Sequence, residues 1–115
     1  MAESLSPAKA TEDIRKLARD PLCNLSKSPH AEDWLEERTI LTGDLLYLLK
    51  NGSIYELAEA STRIDLWKYK IEGVTPNSNG RTITAIIIPD FKTKHIKIVT
   101  CYWKDEHWYK KFMGQ

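Results

Sequence analysis

Apolar and polar positions change period near the middle of the chain, dividing it into a helical half and a sheet half. Ile14, Leu17 and Ala18 recur at i, i+3 and i+4, one helix face, so the spacing predicts a helix over Thr11–Arg19, capped by Thr11 and stopped by Pro21. Ser28-Pro29 is a second start signal: a serine cap, then a proline whose missing N–H falls where no helical bond is due. This helix runs to Arg38 with Ala31, Trp34 and Leu35 inward. Another begins at Thr42, gathers Leu45, Leu48 and Leu49 on one side with Leu41 before them, and ends at Asn51-Gly52, where glycine accepts a left-handed cap. These two helices predict an αα-hairpin.

Past Gly52 the pattern alternates. Ile54–Leu57 is a short strand candidate, and in DLWKYKIEG (65–73) Trp67, Tyr69 and Ile71 alternate with Lys68, Lys70 and Glu72, as in a sheet with one face buried and one wet. Pro76 to Gly80 is dense in turn residues. RTITAIIIP (81–89) then reads as a central strand ended by Pro89, and HIKIVTCYW (95–103), after the turn DFKTK, as another. The second half is therefore an antiparallel meander of at least three strands, and the class is α+β. Residues 1–27 form an N-terminal arm with a short helix, ordered against the domain or a partner, and residues 28–115 form a single domain.

The length of 115 residues is enough for one core but too short for two ordinary domains. No apolar run reaches the roughly 18 residues of a membrane span, and no basic segment leads into an apolar signal core, so the expected compartment is the cytoplasm and no membrane partner is expected. Cys23 and Cys101 lie far apart and read as reduced thiols, Cys101 in a core strand. No two His or Cys residues stand at metal-ligand spacing, and no phosphate-cradling glycine loop or Gly-x-Ser-x-Gly elbow occurs, so no metal or cofactor is expected. Charge is uneven beneath its net value of +1: residues 1–60 carry −4 and residues 61–115 carry +5. A basic half is compatible with a polyanion such as RNA, and equally with an ordinary solvated face.

His30 falls near a helix N-terminus, whose field disfavours the imidazolium, so it could serve as a neutral general base or be a surface group. Arg38 lies about 80° round the helix from it, near enough to border the same groove. Arg81 opens the central strand straight after Asn79-Gly80, where a guanidinium could grip phosphate or face solvent. Lys68, Lys70, Lys92, Lys94 and Lys97 interleave with Thr100, Tyr102 and Trp103. That mixture suits single-stranded RNA, whose bases stack on rings while lysines hold the backbone, although strand aromatics more often fill a core. The tail WKDEHWYKKFMGQ (103–115) could close over a site, dock on a partner or fray.

In order along the chain, SPHA, Glu-Arg followed by an isoleucine, Asp44 before an apolar helix closed by Gly52, YKIEG, NGRTITAIII and HIKIVTCYW resemble a small bacterial domain family of unknown function similar to the RelE, ParE and BrnT toxins. The resemblance spans Ser28 to Trp103. It implies the RelE-like fold shared with barnase and nuclease colicins: two helices on a curved antiparallel sheet of three to four strands, with an active groove between helix and sheet. It also implies metal-independent RNA cleavage by attack of a ribose 2′-hydroxyl on phosphate. His30 would then be the base or acid, Arg38 and Arg81 phosphate clamps, and Lys68, Lys70, Thr100 and Tyr102 substrate-binding groups. Expected partners are RNA, on or off the ribosome, and a cognate antitoxin. Two functions remain open: a toxin-type endoribonuclease, or a non-catalytic module that binds or inhibits a protein.

Overall fold

A computed structural model describes residues 3–38, 40–63 and 65–104. Among the described residues three helices, α1 (Pro7–Arg19), α2 (Pro29–Arg38) and α3 (Thr42–Asn51), accompany six strands: β1 (Asn24–Lys27), β2 (Ser53–Ile54), β3 (Glu59–Ala60), β4 (Trp67–Gly73), β5 (Ile83–Asp90) and β6 (His95–Trp103). The class is α+β. The sheet runs β1-β6-β5-β4-β2, with β3 also on β4. It is mixed rather than wholly antiparallel, because β1, within the N-terminal arm, pairs parallel to β6. Four residues of weak pattern, Asn24 to Lys27, gave no strand signal of their own; the ladder they join supplies their order.

The first two helices start where a side chain accepts from a first-turn N–H, whereas α3 follows Leu41, whose side chain makes no such bond. α1 starts at Ser6-Pro7 rather than at Thr11: Ser6 accepts from Lys9 N. Thr11, inside the helix, donates to the Pro7 carbonyl and accepts from Ile54 N at 2.9 Å. The hydroxyl thus ties α1 to β2 instead of capping. The arm is bound to the domain at several points, since Ala10, Ile14 and Leu17 join the core and Leu5 N donates to the Tyr69 hydroxyl.

Ser28 caps α2 as expected, accepting from Ala31 N at 3.0 Å. Ala31 and Leu35 are buried, whereas Trp34 is only half-buried. α3 buries Leu45, Leu48 and Leu49, but Leu41 is 58% exposed. The two do not form the expected hairpin: α2 packs on β6 and β1, and α3 on α1 and β4. Arg15 and Arg19 of α1 fix that pairing by donating to the carbonyls of Lys50, Asn51 and Gly52, which the end of α3 leaves open. Gly52 itself is extended (φ −75°, ψ 177°), not left-handed. Its place is set by crowding, since a Cβ there would meet Leu48 O at 2.6 Å and Glu72 O at 2.9 Å.

The sheet has two unlike faces. Tyr69 and Ile71, Ile83, Ala85 and Ile87, and Ile96, Ile98 and Cys101 join the helix residues in one core. The alternation read for β4 places Lys70 and Glu72 on the other face. β2 is shorter than expected, and Leu57 beyond it is 79% exposed. β5 continues through Pro89 to Asp90, opposite His95 at the end of the ladder.

Candidate functional site

The sheet face turned away from α1, α2 and α3 holds a cavity of about 560 Å³ lined by Glu56, Lys70, Glu72, Thr84, Tyr102 and Lys104, among others. Its floor is a cross-strand row: Glu72 on β4 stands opposite Thr84 on β5, and Thr84 opposite Tyr102 on β6. Lys104 follows β6, where its backbone N–H donates to Thr82 O and its ammonium to Glu72 Oε1 at 3.0 Å. Lys70 donates to Glu56 at 3.3 Å.

Register alone does not bring Tyr102 here. Across from β5, Ile86 pairs with Thr100 and Ile87 with Ile98, so Val99 is an extra residue on β6. Without it Thr100 and Tyr102 would share the inward face of Ile96 and Ile98; with it Cys101 turns into the core and Tyr102 into the cavity.

The electrostatics follow from partial burial among paired charges. Burial pushes the Tyr102 phenol above its ordinary pKa; Lys70 and Lys104 pull it down, and Glu72 and Glu56 push it further up. Tyr102 is therefore a neutral hydrogen-bond donor at physiological pH. At Lys70 burial opposes the charge, but the hydrogen bond to Glu56 and the fields of Tyr102, Glu56 and Glu72 outweigh it, so its pKa is raised. The cavity thus presents two ammonium groups, a carboxylate that is 9% exposed and a neutral phenol. Such a set can bind an oxyanion, accept a proton and donate one.

Two of the expected site residues, Lys70 and Tyr102, meet in this cavity. Thr100 lies on the same face opposite Ile86, and Lys68 lies opposite Glu59 of β3; neither lines the cavity. His30, exposed on α2, accepts a hydrogen bond from the Trp34 indole N–H, with the rings edge-on at 5.4 Å. Arg81 stacks its guanidinium 4.3 Å from the Trp103 ring centroid. Arg38 ends α2, and its side chain lies outside the described residues, as does the tail from 105 to 115. Among the described residues no group of three or more His, Cys, Asp or Glu side chains is placed to hold a metal. No described helix is long and apolar enough to cross a membrane.

Sequence reading missed Glu72, Thr84 and Lys104. The wet positions of YKIEG and RTIT were available as a signal, but only the strand register shows that they share a row. The model of one protein family, described as Domain of unknown function (DUF4258), matches residues 28–103. No curated protein and no solved structure matches the chain.

Proposed function

The chain belongs to the DUF4258 family, and we propose that it is a toxin-type endoribonuclease with a RelE-like arrangement, whose active site is the open-face cavity. The observation that carries this reading is the convergence of Glu72, Tyr102, Lys70 and Lys104 on one cavity. Glu72 takes the proton of a ribose 2′-hydroxyl, and the 2′-oxygen forms a bond to the neighbouring phosphorus. The bond from phosphorus to the 5′-oxygen breaks, and that oxygen takes a proton from Tyr102. The products are a 2′,3′-cyclic phosphate and a 5′-hydroxyl. Lys70 and Lys104 hold the phosphoryl oxygens as negative charge grows on them. Each lysine has further N–H donors beyond its carboxylate contact, so phosphate can bind without both ion pairs breaking.

Induced expression in a bacterial host tests the reading. Growth arrest accompanied by RNA fragments, with both abolished by Glu72→Gln, supports it; unhindered growth and intact RNA contradict it. A second reading, a non-catalytic module that binds a protein, is favoured by the apolar rim: Tyr55 and Val74 line the cavity and are 70% and 50% exposed. Growth arrest with intact RNA that survives Glu72→Gln would select it. Under either reading, a cognate antitoxin would be a protein that covers this face.

A further inference from the structure

Thr84 is 1% exposed, and its Oγ1 is a buried side-chain atom without a hydrogen-bond partner, the one such atom among the described residues. A strand gains nothing from that hydroxyl. Valine has the same shape and would avoid leaving a buried polar atom unbonded, and the next two residues on this face of β5 are Ile86 and Ile88. Thr84 lies at the cavity floor, between a carboxylate on one neighbouring strand and a neutral phenol on the other.

We propose that Thr84 is a specificity-determining residue that binds the 2′-hydroxyl of ribose, so that the cavity selects RNA over DNA when it binds, before any bond is cut. This rests on the nucleic-acid reading above. The chemistry of the row selects a hydroxyl over a phosphate oxygen. An anionic oxygen at the floor would face the Glu72 carboxylate, whereas a hydroxyl can donate to Glu72 and also exchange a hydrogen bond with Thr84. The phosphate is drawn outward instead, toward Lys104, whose side chain is 61% exposed. A 2′-hydroxyl, both donor and acceptor, is the group that distinguishes RNA from DNA.

The test is binding of one single-stranded sequence as RNA, as DNA and as 2′-O-methyl RNA, read by fluorescence anisotropy. The full chain keeps Glu72, and every strand carries a 5′-methylene in place of the 5′-oxygen leaving group so that the RNA stays intact. The expected result is about threefold to tenfold tighter binding of RNA than of the other two, the size of one hydrogen bond. Thr84→Val should weaken RNA binding alone and make all three equal, while Thr84→Ser keeps the preference. Equal binding of all three before Thr84 is changed, no binding of any, or a preference that survives Thr84→Val overturns the assignment. If the valine variant does not fold, the RNA-to-DNA ratio with Thr84 intact and the serine variant still decide. RNA preference without cleavage by the unsubstituted protein would sink the ribonuclease reading and leave Thr84 standing; cleavage without RNA preference would do the reverse.

Discussion

Ser28 donates its hydroxyl to the carbonyl of Val99 at 2.8 Å, holding the one residue of β6 that the register leaves without a partner on β5. The same oxygen caps α2 through Ala31 N, and Ser28 N donates to Ile98 O. A helix start and a strand bulge are thereby one structure. Because the bulge turns Tyr102 toward the cavity, the Ser28–Val99 contact links the helical side of the sheet to the proposed site on its other side.

Ser28→Ala should therefore cost both stability and activity. Losing the cap and the bulge contact is expected to destabilise the chain by about 1–2 kcal/mol. Thermal unfolding reads that loss, and cleavage measured well below the melting temperature should also fall as Tyr102 loses its fixed position. A stability loss with unchanged cleavage would separate the bulge from the site.

Lys70→Met and Lys104→Met should each reduce cleavage by about tenfold to a hundredfold, the range of one charge-assisted hydrogen bond. The melting temperature should change little with Lys70→Met, because its partner Glu56 is 64% exposed and water screens that pair, and should fall with Lys104→Met, which leaves the Glu72 carboxylate, 10% exposed, without its ammonium partner. Cleavage that survives both substitutions would rule out the two ammonium groups as phosphate holders.

The tyrosine ring resonances, followed by NMR through alkaline pH, should show Tyr102 ionising above the ordinary tyrosine value of 10.0. Lys70→Met should raise that value further and Glu72→Gln should lower it. Since the folded chain holds this proton to higher pH than the unfolded chain, the unfolded state binds fewer protons above about pH 10, and stability falls as pH rises through that window. Lys70, also raised, acts in the same direction. A Tyr102 that titrates at or below 10.0 would mean that the phenol is not buried among these charges.

Gly52→Ala should destabilise the fold by about 1–3 kcal/mol, since the added methyl must displace backbone rather than a flexible side chain. The carbonyls it meets belong to Leu48 and to Glu72, so cleavage should fall with stability. Unchanged melting would show that β4 yields at Glu72 without cost.

Much of the fold was legible where one physical cause dominated. Alternation alone marked the two faces of β4, and Ser28-Pro29 alone marked the start of α2. Ser6-Pro7 carries the same signal for α1 and sets its start, while the hydroxyl of Thr11, the expected cap, bonds across to β2. What stayed hidden depends on contacts between distant segments. The parallel pairing of Leu25 with Ile96, the crowding at Gly52 and the extra residue at Val99 leave no local pattern. The bulge matters most for the site. Strict alternation through HIKIVTCYW would send Tyr102 inward with Ile96 and Ile98, so reading the sequence could name Tyr102 but could not place it beside Glu72 and Thr84.

The most direct test of the central claim is mass analysis of the ends produced when the purified full chain acts on a defined single-stranded RNA. The account predicts fragments ending in 2′,3′-cyclic phosphate and beginning with 5′-hydroxyl. Their formation should drop by about a hundredfold or more with Glu72→Gln and less than tenfold with His30→Ala. Intact RNA, different termini, or cleavage lost with His30→Ala but kept with Glu72→Gln would contradict it.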